Sequence, residues 1–301
     1  MTTQLHPKNA VSKLLLSGMV GVLAALPLGF SSPAPAEALE VQVTPTNPQL
    51  GDTLSVLINL DNPTSDRSPK VTVGKETYPA FPIGSNQFRA FIPTTPLERP
   101  GTRQIQVTGT DGQVENLAVQ LSNRRFPVQR INLPPGKAGV QATEVELRRV
   151  REFRALVTPE KFWNGPFLAP NKARVSTGYG VRRYYNGVFA DDYFHRGVDY
   201  AGSAGSPVVA PAAGRVSLVG TVSQGFRVHG NTVGIDHGQG VISVFLHLSR
   251  IMVKEGDFVQ PGQVIGTVGS TGASTGPHLH WGLYVNGQSV DPVPWRTKGL
   301  Q

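Results

Sequence analysis

The chain has 301 residues, enough for two domains and a sizeable hydrophobic core in at least one of them. It contains no Cys, which excludes disulfides and Cys-ligated metal; its 34 Gly and 25 Pro favour many short strands with tight turns over long helices. A formal net charge of +8 suits contact with an anionic polymer or membrane surface, and equally a soluble surface with surplus Lys and Arg.

Lys8 and Lys13 precede an apolar run over residues 14–30, and Ala36-Glu37-Ala38 follows with small residues at the positions a signal peptidase reads. This pattern predicts a signal peptide over 1–38, cleaved near Ala38, and export to the periplasm, cell wall or medium. Gly18, Gly21 and Pro27 interrupt the run, so no stable membrane span is expected after cleavage.

From Glu40 to Asn123 the apolar residues alternate with polar ones, as in Leu54, Val56, Ile58 and Leu60, or Ile105 and Val107. Turn formers separate them: Gly51-Asp52, Asp61-Asn62-Pro63, Gly84-Ser85-Asn86, Pro100-Gly101 and Asp111-Gly112. Six or seven short strands at that spacing predict an antiparallel β-sandwich over 39–123. It holds no His, so its expected role is binding or positioning, with recruitment to an envelope or division partner as one use.

Residues 124–166 read as a connector. Asn132-Leu133-Pro134-Pro135-Gly136 breaks the chain, and a helix follows toward Val157, with Thr143 as N-cap and Glu146 completing a capping box. Its run of Arg148, Arg149, Arg151 and Arg154 is expected to face solvent.

Residues 167–301 return to strands and turns. Gly276-Pro277-His278-Leu279-His280-Trp281 places two histidines two apart at the start of a strand, so both point into the same space. His195-Arg196-Gly197-Val198-Asp199 supplies another imidazole and a carboxylate, and His247 lies in an apolar strand. Imidazoles with a carboxylate are the ligand types of zinc, and a ligand to spare suggests a catalytic metal with an open position. His237 reads as structural at a strand-to-turn junction, and His229 is expected to be exposed.

The order of these motifs (HxxxD, then aromatic-x-His-Leu, then TGxSTGPHLH) resembles the lysostaphin-like (LytM-type) zinc metallopeptidases, a family of peptidoglycan endopeptidases. The resemblance implies a mainly β protein with a C-terminal antiparallel catalytic domain. It implies Zn2+ held by His195, Asp199 and His280, with His247 and His278 as the catalytic histidines. The expected partner is the peptidoglycan stem peptide, and nucleic acid is not expected. Family members that cut glycine bridges carry a Tyr where this chain has Phe189; Tyr179, Tyr185 or Tyr193 could supply the missing hydroxyl. Ser274 and Thr275 either bond substrate or shape the turn. A zinc-free relative that activates a cell-wall amidase is the alternative, and the intact five-residue set speaks against it. A lipoyl-type carrier needs a Lys at a hairpin tip, and Lys254 is the only one between Gly202 and Gly266.

Overall fold

The computed structural model describes residues 39–61, 68–132 and 140–297. The expected signal segment at 1–38, residues 62–63 of the turn cluster that begins at Asp61 and residues 133–136 of the connector breaker lie outside the described residues. No helix among the described residues is long and apolar enough to cross a membrane.

The protein is mainly β. Seven strands come first: β1 (Leu39–Thr44), β2 (Thr53–Leu60), β3 (Lys70–Val73), β4 (Glu76–Pro82), β5 (Gln87–Pro93), β6 (Gly101–Thr108) and β7 (Val114–Leu121). They pair antiparallel in the order β1-β2-β5-β4-β3-β6-β7. The first half of β4 pairs with β3 and its second half with β5, which turns the path over on itself. Leu54, Val56 and Ile58 thereby meet Val71, Ile105 and Val107 in one buried core. The period-two pattern is the cause, since alternate residues of a strand share a face.

Phe91, at the end of β5, belongs to a different core. Its ring packs against Trp163 and Trp295, with centroids 6.1 and 5.3 Å apart. Around it, Asn286 Nδ2 donates to Phe91 O (2.8 Å), Trp295 Nε1 to Thr53 Oγ1 (3.3 Å) and Asp291 N to Gly51 O (2.8 Å). Arg124 pairs with the buried Asp291 carboxylate at 2.8 Å. The strands of residues 39–121 are thus joined to the C-terminal region by aromatic packing and hydrogen bonds.

The connector carries β8 (Val128–Ile131) and α1 (Glu144–Arg154). Beyond it come β9 (Val175–Thr177), β10 (Arg182–Tyr185), β11 (Val188–Phe189), β12 (Val198–Tyr200), β13 (Pro207–Val209), β14 (Gly214–Gly220) and β15 (Asn231–Gly238). The last strands are β16 (Val241–Leu248), β17 (Arg250–Ile251), β18 (Phe258–Val259), β19 (Val264–Thr267), β20 (Leu279–Val285) and β21 (Gln288–Val290), with a closing helix α2 (Val293–Thr297). The main sheet runs β18-β14-β15-β16-β20-β12-β9, with β21 pairing the last residues of β20 on the edge whose first residues pair β12. Among the named strands of the described residues, β8 adds to β10 in parallel, and the other pairings are antiparallel.

Parity divides the central strands. Val241 and Phe245 of β16, Trp281, Leu283 and Val285 of β20, and Val198 and Tyr200 of β12 face the principal core. Ile242, Val244 and Tyr284 face the other way, where they meet Phe153 of α1. Asp199, Leu246 and His280 fall on this second face.

The helix is less solvated than its arginine run suggests. Arg149 pairs with Glu255 and Arg154 Nη2 donates to Gly287 O at 2.7 Å, its guanidinium 4.8 Å from the Tyr284 ring; both dock α1 on the sheet. The capping box is half formed. Thr143 Oγ1 accepts from Glu146 N (3.2 Å), but the Glu146 carboxylate turns away from the cap.

Candidate metal centre

Register brings the ligands together. β12 and β20 pair Asp199 with His280, and β16 and β20 pair Leu246 with His280, so three neighbouring strands present one cleft face. His195 precedes β12, and Gly197 between it and Asp199 lies against β20. A Cβ on Gly197 would stand 2.3 Å from Trp281 O and 2.8 Å from His280 Nε2. That approach admits only glycine, which explains the residue between the two predicted ligands.

His195 Nε2 lies 3.0 Å from Asp199 Oδ1 and 3.0 Å from His280 Nδ1, and His280 Nδ1 lies 2.9 Å from Asp199 Oδ1. His195, Asp199 and His280 are 2%, 7% and 9% exposed. Burial alone would raise the Asp199 carboxyl, but hydrogen bonding with His195 and His280 outweighs it and holds the group far below the usual carboxylate range. Burial pushes His280 down to about 4, against the pull of Asp199.

The donor set fits a small metal ion. His195 Nδ1 is 2.7 Å from Gly178 O, and since a carbonyl only accepts, Nδ1 donates there and Nε2 is the atom turned into the triangle. Burial likewise keeps His280 neutral. Two imidazole nitrogens and a carboxylate oxygen closing a triangle of this size form a donor set that could hold a metal ion. Ligand atoms about 2.0–2.2 Å from a tetrahedral ion would stand about 3.3–3.6 Å apart, somewhat wider than the 2.9–3.0 Å seen.

The two remaining histidines face this triangle. His278 sits just before β20, bridged to Gly269, with Nε2 4.0 Å from Asp199 Oδ1. Its Nδ1 donates to Gly276 O at 2.9 Å. His247 adopts φ 64°, rare for a residue with a side chain, and its Nδ1 donates to Thr271 O at 2.8 Å. Both Nδ1 protons are therefore fixed on backbone carbonyls, and both Nε2 atoms are left for the cleft. The rings are 4.8 Å apart, centroid to centroid. Burial, then the neighbouring His278 and His280, push His247 down to about 3. The five predicted site residues thus converge.

Other expectations change. His229 is not exposed: its Nδ1 lies 2.6 Å from Glu146 Oε1, and its side chain is 23% accessible. Glu146, fully buried, also accepts from the backbone N–H groups of Arg227 (2.9 Å), Val228 (3.1 Å) and His229 (2.7 Å). His229 O in turn accepts from His247 N (3.0 Å), and Val228 O from Ala273 N (3.0 Å). A carboxylate from the connector thus anchors the loop on which His247 and the 271–276 loop rest. Sequence reading missed it, because a capping box accounts for a Glu at that spacing without any distant partner.

Tyr179 drops out as a hydroxyl donor to the cleft, since it is buried and donates to Ser289 O at 2.7 Å. Tyr185 and Tyr193 do line the cleft, while Phe189 packs on Tyr184. Ser274 shapes its turn, donating to Gly276 O at 2.7 Å. On the core side, Trp281 Nε1 donates to Ser243 Oγ (3.1 Å), Ser243 donates to His237 Nε2 (2.9 Å), and His237 Nδ1 donates to Ala213 O (2.8 Å). His237 is fully buried, and burial lowers it to about 4. The cleft encloses about 700 Å³, and connector residues Gln129, Ile131 and Val140 form part of its wall.

Residues 193–292 match the model of Peptidase family M23. The DD-carboxypeptidase/endopeptidase Mpg of Neisseria meningitidis is 42% identical over 120 residues, which is 40% of this chain and 26% of that protein. An uncharacterized metalloprotease of Haemophilus influenzae is 42% identical over 128 residues, 42% of this chain and 26% of its own length. The chain thus spans about a quarter of the length of these curated relatives. A solved structure described as a peptidase M23 from Pseudomonas aeruginosa superimposes with a TM-score of 0.61 at 27% identity, over 83% of this chain and 95% of that one. That likeness reaches beyond the matched stretch into the N-terminal strands.

Proposed function

On the premise that residues 193–292 are a peptidase family M23 domain, we propose that this chain is a zinc-dependent endopeptidase hydrolysing peptide cross-links of bacterial peptidoglycan. The observation that carries the proposal is the closed triangle of His195 Nε2, Asp199 Oδ1 and His280 Nδ1, with two further imidazoles beside it.

His195, Asp199 and His280 hold the ion. When bound, zinc supplies a water acidic enough to lose a proton near neutrality and a Lewis acid for the scissile carbonyl. His278 Nε2 accepts the proton of the attacking water and returns it to the leaving amine. His247, kept neutral by burial, offers Nε2 as an acceptor that orients the water. The two rings are close enough that charge on one opposes charge on the other, so the pair takes up at most one proton beyond its two Nδ1 protons through the cycle.

The bond cut is a D-alanyl linkage to a diamino acid. The missing Tyr at Phe189 argues against a glycine bridge, and the Mpg relative is named for DD activity. Export through a signal peptide at 1–38 puts the chain in the periplasm or outside the cell. The basic surplus favours anionic wall polymers, and the 39–123 module offers a surface for an envelope or division recruiter. The test is muropeptide analysis of purified sacculi digested by the zinc-loaded full chain. Monomers released from diaminopimelate-type dimers, with pentaglycine left intact, support the reading. Inactivity on both with zinc bound would point to the amidase-activator alternative.

A further inference from the structure

The cleft holds more positive charge than hydrolysis consumes. Asp199 is the acidic residue lining it, and Arg183 and Arg196 line the same cleft. Arg183, on β10, is held on three sides. Nε donates to Gln129 Oε1 at 3.1 Å, and Nη1 donates to Tyr193 OH at 3.2 Å and Tyr185 OH at 3.4 Å. Arg196 directly follows the ligand His195. The two guanidiniums lie 5.8 and 5.3 Å from the Tyr193 ring centre. Neither forms an ion pair with a carboxylate among the described residues, whereas Arg103, Arg124, Arg148 and Arg149 each do. Burial raises the Tyr193 phenol to about 12, so this ring stays neutral and does not satisfy the arginines by ionising.

We infer that Arg183 and Arg196, gathered on Tyr193, form a carboxylate subsite that takes the free carboxylate of the diamino acid whose amine lies in the scissile amide. The inference rests on the endopeptidase reading and adds to it a substrate requirement. In a D-alanyl–diaminopimelate cross-link, the carbon bonded to the scissile nitrogen also bears a free carboxylate. A ligand entering the metal triangle with its amide would bring that charge into the same cleft. Guanidinium suits it, because its planar fork binds a carboxylate through paired charge-assisted hydrogen bonds. A glycine bridge has no charge at this position, so it gains nothing from the two arginines.

Two cross-linked dimers with the same scissile bond decide the matter, one with the free carboxylate and one with the carboxamide. With the zinc-loaded full chain, amidation is expected to lower kcat/KM by about tenfold or more, mainly through KM. Arg183→Gln and Arg196→Gln should each shrink that ratio toward one, and Arg183→Lys should keep part of it. A merely structural role for the arginines would slow both dimers alike and leave the ratio unchanged. Calorimetric binding of both dimers to zinc-loaded His278→Ala reads the subsite without turnover. Tighter binding of the free carboxylate there supports the subsite even if the wild type cleaves neither dimer, an outcome that would sink the endopeptidase reading alone. Equal cleavage and equal binding of the two dimers would overturn the subsite and leave the endopeptidase reading standing.

Discussion

Replacing Glu146 by Gln tests whether the connector is part of the catalytic machinery. The carboxylate is fully buried and bonded by three consecutive backbone N–H groups and the His229 ring. Burial would raise it, but the hydrogen bonds from His229 and Val228 prevail and lower it from 4.5 to about 2. At about 1.4 kcal/mol per unit, that difference contributes about 3 kcal/mol to stability. Because the folded value lies below the unfolded one, the contribution is complete above about pH 5 and is lost as the pH falls toward 2. Glu146→Gln should therefore cost about 2–3 kcal/mol at pH 7, or roughly 5–10 °C in Tm for a unit of this size. Thermal melts of wild type and variant at pH 7, 5 and 3 measure the gap, which should be nearly the same at pH 7 and 5 and clearly narrower at pH 3. The variant should keep its zinc, since no ligand is touched, yet turn over more slowly, because the 227–230 loop supports His247. A gap below about 0.5 kcal/mol at pH 7, or one that persists unchanged to pH 3, would refute the reasoning.

Further outcomes concern the site itself. His195→Ala, Asp199→Ala and His280→Ala should each lose the metal, measured as zinc per chain, while His278→Ala should keep it and lose activity. Release of zinc by His278→Ala as readily as by His280→Ala would overturn the division of roles. Activity should fall as the pH drops toward about 4 and below, where His280 and then His247 take up protons; a rate unchanged down to pH 3 would argue against imidazole chemistry. His237, lowered from 6.5 to about 4 by burial, binds its proton less readily folded than unfolded, so it withdraws stability as the pH falls from about 6.5 to 4. His237→Gln should flatten that part of the melting-temperature profile, read against wild type between pH 7 and 4.

The strands were legible because parity is a local property, visible in Leu54, Val56 and Ile58 without any knowledge of their partners. The metal triangle was legible for the same reason: HxxxD and HxH fix residue types at short spacings. What escaped was set by distant pairing. Glu146 meets His229 across 83 positions, and its spacing from Thr143 already had a local explanation. Arg149 and Arg154 read as solvated because their partners, Glu255 and the Gly287 carbonyl, lie more than a hundred residues away. Tyr179 could be discounted only once Ser289 O was found beside it.

The even-and-odd division of the central strands governs how this protein can change in length. Asp199, Leu246 and His280 share one face only while β12, β16 and β20 keep their count, and their neighbours Val198, Phe245 and Trp281 share the other. Inserting or deleting a single residue inside any of these strands would exchange a ligand for a core side chain and bury an imidazole or carboxylate among apolar groups. Duplications and losses between Asp199 and His280 are therefore confined to the turns, where any number of residues leaves the facing of the strands untouched. A library of length variants would be expected to survive in the β10–β11 hairpin at 186–187 and the turn at 203–205, and to be emptied from 241–248 and 279–285.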